Sequence, residues 1–184
     1  MKLKNSYQTI PLPDCTIQGL FPTISWFHTI SNYVDFQNKT VLDLGCCSFS
    51  YGIQAIAAGA TEVVGVEVDP GKVGECWRIL DHCGIMNAVI QQGRIEDYPF
   101  TQYHNVTIMS MIIHHLDNPT QIIQRAAKAT SELVLVYRCL KPNTKEPGFR
   151  PTIHELDQVV SLKPQAHFEL MRTDTQYINL AIYG

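Results

Sequence analysis

Thr40-Val-Leu-Asp-Leu-Gly-Cys-Cys-Ser-Phe-Ser-Tyr-Gly52, an alanine-rich run to Ala60, and Thr61-Glu-Val-Val-Gly-Val-Glu-Val-Asp-Pro70 decide the fold. A β-branched strand over 40–44 runs into a tight turn around Gly45. Tyr51 to Ala58 follows with Ile53, Ile56 and Ala57 at helical spacing, and Gly59 stops it. Thr61 to Glu67 is then a continuous apolar strand, as expected when both faces of a sheet are covered. A β-α-β unit of this kind places a nucleoside-bearing ligand at the carboxyl ends of its strands.

The same alternation continues downstream. Pro70 opens a helix to about Cys83 whose buried stripe is expected to be Val73, Trp77, Ile79 and Leu80, and Ala88–Gln91 is a third strand. After the loop Gly93–Phe100 come a strand over Asn105–Met111, a helix over Thr120–Thr130, an apolar strand over Leu133–Arg138 and a short helix over Ile153–Val160. His167–Arg172 and Gln176–Tyr183 alternate apolar and polar residues around Thr173-Asp-Thr175, which predicts an antiparallel hairpin. The fold class is α/β, a Rossmann-like seven-stranded mixed sheet with helices on both faces and a C-terminal antiparallel hairpin. Upstream, residues 1–21 read as a polar arm and Pro22–Val34 as a helix, in which Ile24, Phe27, His28, Ile30 and Tyr33 recur at three- and four-residue spacing, and Trp26 reads as core in preference to a substrate platform. The reading is a single domain, 1–184, in which an arm and lid helix (1–36) precede a ligand-binding core (37–184).

The charge balance narrows the partners. A net charge of −3, with 17% charged residues, gives no overall basic field for duplex DNA, although a local patch can hold a small RNA. Arg138, Lys141, Lys145 and Arg150 make one such patch, opposed only by Glu146. It reads either as a solvated loop or as a rim that holds a carboxylate, a phosphate or a short RNA. The first residues lack the apolar core of a signal peptide, and no run of about 18 apolar residues spans a bilayer. The six cysteines have no metal-ligand spacing and read as free thiols in a reducing cytoplasm, with no zinc site and no membrane partner expected.

Chemistry concentrates at strand ends. The amides at the start of the helix after Gly45 favour a carboxylate or phosphate, and Gly45 leaves room for close backbone approach. Asp43, two residues before Gly45, pairs with a second acid, Glu67, at the end of the next strand. A carboxylate at Glu67 can accept hydrogen bonds from both hydroxyls of a ribose. His114 and His115 follow the fourth strand, where an imidazole is suited to accept a proton near neutral pH or, alternatively, serves only to shape the loop.

Asp43-Leu-Gly-Cys46, Val64-Gly-Val-Glu67, Gly93-Arg-Ile-Glu-Asp-Tyr-Pro-Phe100 and His114-His-Leu-Asp-Asn-Pro119 stand in the order and spacing of class I S-adenosylmethionine-dependent methyltransferases. The chain resembles that family over about residues 38–140. Within it, the arm, Trp26 and Asn38-Lys-Thr-Val-Leu-Asp43 are most similar to the branch around tRNA wobble-uridine-modifying and related small methyltransferases. The resemblance implies S-adenosyl-L-methionine as cofactor and a small-molecule or RNA acceptor. It places Asp43, Gly45, Cys46 and Cys47 at the methionine end, Glu67 on the ribose and Val68 on the adenine. Ser110 would lie near the methionine portion, and Ile95 and Glu96 toward the adenine, since Arg94 replaces the family's usual aspartate. Cys47 and Phe49 replace the second and third glycines of the family's turn. A side chain where positive φ is wanted is costly, so the loop must take another path or Phe49 must point away. A methyltransferase is the reading these features favour. The alternatives are a degenerate binding module of the same fold and an NAD-dependent oxidoreductase.

Overall fold

The computed structural model describes residues 6–140, 150–172 and 176–184. The chain divides into two compact units, Met1–Arg94 and Ile95–Gly184.

In the first unit the arm is built of short strands rather than irregular chain. β1 (Ser6–Gln8) pairs in parallel with β4 (Gly19–Phe21), and between them β2 (Ile10–Pro11) and β3 (Thr16–Ile17) form a small antiparallel ladder. The helix α1 (Thr23–Ile30) stops four residues short of the sequence expectation. Ser31 Oγ donates to the Phe27 carbonyl at 2.9 Å, and Tyr33 N–H closes a turn onto Ile30 at 2.9 Å. A serine hydroxyl competing for helix carbonyls is a recognised way to end a helix. Trp26, Phe27 and Ile30 are buried, and Phe27 stacks on Phe36 with ring centroids 4.9 Å apart.

The β-α-β core follows. β5 (Thr40–Leu44), α2 (Ser50–Ala57), β6 (Glu62–Glu67), α3 (Pro70–Cys83) and β7 (Ala88–Gln92) lie within a residue of the boundaries read from sequence. The three strands are parallel, ordered β5-β6-β7, with Asp43 opposite Gly65 and Glu67 opposite Gln92. Asp69 caps α3 by accepting from Gly71 N–H at 2.7 Å and Lys72 N–H at 3.0 Å, Pro70 occupies the first turn, and Gly84 ends the helix at φ 65°. The buried stripe of α3 is Cys76, Ile79 and Leu80. Trp77, expected in the core, is 46% exposed. At one residue per 100°, a stripe centred on 76, 79 and 80 turns position 77 away from the sheet.

In the second unit, β8 (His104–Ser110) runs parallel to β9 (Thr130–Leu140), and the α4 helix (Pro119–Lys128) connects them, burying Ile122, Ile123, Ala126 and Ala127. α5 (Ile153–Val159) carries a Thr152/Glu155 capping box. β10 (Pro164–Arg172) and β11 (Gln176–Tyr183) are the antiparallel pair expected at the C-terminus, and β11 also pairs antiparallel with β9, from Gln176 opposite Leu140 to Tyr183 opposite Leu133. The strand order in this unit is β8-β9-β11-β10. Together β5 to β11 account for a seven-stranded mixed sheet, the predicted class. β9 extends beyond the predicted Leu133–Arg138 because β8 supplies ladder partners for its polar start and β11 for Cys139 and Leu140. Lys141, Lys145, Glu146 and the Thr173–Thr175 turn lie outside the described residues. No helix of the described residues is long and apolar enough to cross a membrane.

The two tryptophans give a direct check of α1 and α3. With Trp26 3% exposed and Trp77 46% exposed, Trp77→Phe leaves a blue-shifted emission resistant to acrylamide. Trp26→Phe leaves a red-shifted one that acrylamide quenches readily.

Candidate active site

At the end of β5 the chain turns under strict backbone control. Gly45 N–H and Cys46 N–H both donate to the Val66 carbonyl, at 2.9 and 3.0 Å, tying the turn to β6. Cys47 N–H donates to Glu67 Oε2 at 2.9 Å, and Glu67 Oε1 accepts from Asp69 N–H at 2.9 Å. The carboxylate at the β6 terminus therefore spans the mouths of two loops. Cys47 and Phe49 both adopt left-handed conformations, φ 52° and 62°, alongside Gly45 at φ 74°. The turn thus keeps positive φ where the family's glycines stand, and Phe49 points inward rather than away.

Two glycines make that possible. The Phe49 ring is fully buried, and a Cβ on Gly52 would lie 2.2 Å from it. A Cβ on Gly65 would lie 2.9 Å from the ring and equally close to Cys46 Sγ. Burying a phenylalanine contributes about 1.5–3 kcal/mol, which offsets the left-handed penalty of about 1–2 kcal/mol at Phe49 itself. Ser48 Oγ donates to Glu75 Oε1 at 2.5 Å, and Glu75 pairs with Lys72 at 3.1 Å, so α3 braces the outer side of the turn. Cys76 Sγ donates to the Cys47 carbonyl at 2.9 Å. The Cys46 side chain is buried against Cys76 and Gly65, so what this residue offers the turn is backbone.

The amides of α2 are largely spoken for by the protein. Ser50 N–H donates to Gln8 Oε1 at 3.2 Å, and Ser50 Oγ to the Thr9 carbonyl at 2.7 Å, so the arm seals this end of the helix. Gly52 N–H bonds the Asp43 carboxyl. Asp43 itself is 1% exposed, and its Oδ2 has no hydrogen-bond partner among the described residues. Burial, reinforced by the charge of Glu67, raises its pKa to about 7. A buried carboxyl with an unsatisfied oxygen suits a cation that can donate a hydrogen bond. Val68, the residue after Glu67, is 59% exposed and presents an open apolar surface.

An open cavity of about 600 Å³ also lies in this unit, lined by Pro11, Leu12, Phe27, Ile53, Ala57 and Ile85 among others. It contains none of the candidate catalytic or cofactor-binding residues read from sequence.

In the second unit, Ile95 is buried and starts a 3-10 turn over Ile95–Asp97. Glu96 is held between loops: its Oε1 accepts from Asp117 N–H at 3.2 Å and its carbonyl from Arg125 Nη1 at 2.9 Å. Ser110 ends β8 opposite Val136. Met111 then takes φ 56° while its N–H donates to the Val136 carbonyl at 2.7 Å, and Ile113–His115 form a 3-10 turn. The rings of His114 and His115 are 4.0 Å apart. Burial, then His115 and the cations Arg138 and Arg150, push the His114 pKa down to about 3; burial and the same two arginines lower that of His115. The protonated form of both imidazoles is disfavoured.

Residues 35–160 match the family model described as a methyltransferase domain. The chain belongs to the methyltransferase-domain family. Among curated relatives it is 26% identical over 117 residues to the ribosomal protein L11 methyltransferase of Pasteurella multocida, covering 64% of this chain and 40% of that one. The chain spans less than half the length of the curated relatives it matches. Among solved structures it is similar to a SAM-dependent methyltransferase from Aquifex aeolicus, with TM-score 0.66, 13% identity and coverage of 85% and 88% of the two chains. It also resembles the N-terminal domain of EvdMO1, determined in the presence of SAH and D-fucose, with TM-score 0.68, 10% identity and coverage of 86% and 81%.

Sequence reasoning missed the Gln8 and Thr9 contacts to Ser50, for which the arm carries no signal. It also missed the Phe49–Gly52–Gly65 packing, for which the spacing of the remaining glycines was a usable clue.

Gly52→Ala destabilises the chain by about 1–3 kcal/mol through overpacking, although glycine to alanine in a helix ordinarily gains up to about 1 kcal/mol. In a Phe49→Leu background the same change becomes neutral or favourable in urea denaturation. Asp43 supplies a pH slope. Unfolded, its carboxyl ionises near pH 4, whereas folded it keeps its proton to about 7. Its contribution is full below about pH 4 and is lost as pH rises through about 7, a loss on the order of 4 kcal/mol. Asp43→Asn flattens that part of the stability profile.

Proposed function

We propose that this chain is an S-adenosylmethionine-dependent methyltransferase acting on a small-molecule or RNA acceptor. The observation that carries the reading is the buried Asp43 carboxyl, with one unpartnered oxygen and a pKa near 7, at the end of β5 in a methyltransferase-family chain. When bound, the cofactor supplies an electrophilic sulfonium methyl group. The residues of the first unit fit its polar and apolar parts. Asp43 offers a carboxylate to a cationic group. Glu67 has one hydrogen bond on each oxygen, and each oxygen retains a second lone pair for a ribose hydroxyl. Val68 offers an exposed apolar face to a base. In the second unit, Ser110 and the His114 turn stand at the end of β8, the position from which an acceptor would be oriented. Methyl transfer of this kind depends mainly on alignment of the acceptor with the methyl group. The six cysteines, all free, suit a reducing compartment, and we place the chain in the cytoplasm.

One observation favours a second reading. Glu67 already accepts two backbone amides, so ribose hydroxyls enter an occupied site; a binding module of the same fold with reduced affinity would look alike here.

Calorimetric titration with S-adenosylmethionine and S-adenosylhomocysteine tests the proposal. Ionised Asp43 is the form that holds a cation, so affinity for S-adenosylmethionine rises as pH is raised from about 6 to about 8. Asp43→Asn weakens binding and removes that dependence. No heat of binding at about 1 mM ligand refutes the proposal, and saturable binding of NADH in its place supports the oxidoreductase.

A further inference from the structure

The open cavity of about 600 Å³ in the first unit has no part in the site described above. Four separate segments build its wall. Ile53, Gln54 and Ala57 line it from α2, Phe27 from α1, and Ile85 from the chain just after α3. Pro11-Leu-Pro13, at the turn between β2 and β3, completes it, and the prolines stiffen that backbone. Leu12 N–H closes the turn onto the Cys15 carbonyl at 2.8 Å. Asp14 Oδ1 accepts from His82 Nε2 at 3.0 Å, which ties the turn to the end of α3. Ile85 N–H donates to the Leu80 carbonyl at 2.9 Å. The wall is thus held by bonds of its own and needs no ligand to form. Its volume falls within the roughly 300–1,000 Å³ of small-molecule sites.

The lining defines what fits. Among the described residues no Asp, Glu, Lys or Arg lines the cavity, so a charged ligand would leave water without gaining a partner. Gln54 supplies a directed polar group. It is 9% exposed, and its Nε2 donates to the Ser50 carbonyl at 3.1 Å and to Ser50 Oγ at 3.2 Å. Both amide hydrogens are therefore committed. That fixes which way the amide faces and leaves Oε1 with no hydrogen-bond partner among the described residues. The other polar groups of the wall offer less: Ser31 Oγ already donates to the Phe27 carbonyl, the Cys83 thiol is a weak donor, and His28 is exposed to water. A pure hydrocarbon filling the cavity would displace water from Oε1 and leave that oxygen bare. We propose that this cavity binds a small, neutral, mostly apolar molecule whose hydrogen-bond donor, a hydroxyl or ring N–H, meets Gln54 Oε1. The acceptor belongs to a side chain that is nine-tenths buried, which suits a small molecule inside the cavity over a protein surface laid across it. None of Asp43, Glu67 and Val68 lines the cavity, so the assignment stands apart from the methyltransferase reading. Because the same amide holds Ser50, the residue after Phe49, a ligand here lies one side chain from the turn that follows β5.

The test uses the full chain with ¹³C-labelled isoleucine methyl groups, since Ile53, Ile56 and Ile85 all line the cavity. It is titrated in separate arms with indole, which carries an N–H donor, and with benzothiophene, which has a similar shape and none. Indole should shift the three methyl signals saturably. The ratio of the two affinities, indole over benzothiophene, should fall about three- to tenfold in Gln54→Leu, which keeps the bulk and removes the acceptor. Ala57→Phe fills the space without removing a side-chain hydrogen bond and should abolish binding of both probes. Thermal melts establish that each variant is folded, and Ala57→Phe serves if Gln54→Leu is not. Absence of a saturable shift with indole overturns the proposal, as does indole binding that Ala57→Phe leaves intact. An affinity ratio unchanged by Gln54→Leu overturns the assigned donor contact. Tighter binding of indole-3-acetate than of indole would show that the site takes an anion and refute the neutral class. Methyl shifts that follow protein concentration with no probe present would give the cavity to a second copy of the chain, which also overturns it.

Discussion

Everything in the first unit's site depends on where the Phe49 ring goes. A phenylalanine in a left-handed conformation ordinarily breaks a tight turn, because its Cβ crowds the neighbouring carbonyl. Here the ring drops beneath α2 into space left by Gly52 and Gly65, and the turn retains the path that glycines would have allowed. Glycine has in effect been moved from the turn to the surfaces that receive its replacement. Removing that space forces either the helix or β6 outward. Both elements also position charge, Gly52 through its bond to Asp43 and β6 through Glu67.

The electrostatics of the unit follow from that packing. Asp43 sits opposite Gly65 in the sheet register, far enough inside to be almost fully desolvated, and Glu67 adds a second negative charge at the strand end. A carboxylate so placed is stable as an acid and unstable as an anion until a cation arrives. Glu67 instead accepts two amides, from Cys47 and Asp69. Two carboxyl groups on adjacent strands thus play different parts: one ties the loops together and the other remains ready to ionise.

The fold was legible because its signals were strong and redundant. Pro70 and Gly84 bracket α3, apolar runs mark β5, β6 and β9, and the alternation in Gln176–Tyr183 gives the terminal hairpin. Trp77 was misplaced because an apolar residue at i+1 of a buried position was counted into a stripe that Cys76 occupies. The site was legible in part. Asp43, Glu67 and the histidine pair stand out as residue types at strand ends. The conformation at Cys47 and Phe49 was not readable, because it depends on a cavity formed by residues three and sixteen positions away from Phe49. The arm's grip on Ser50 likewise has no local pattern, since Gln8 reaches across 42 positions.

The histidine pair shows how far a residue type can mislead when read alone. An imidazole invites the role of general base, yet His114 has a pKa near 3 and His115 is lowered by the same cations. Burial is the first cause of the shift at both rings, so the shielded setting that makes the pair stand out also disfavours the protonated form.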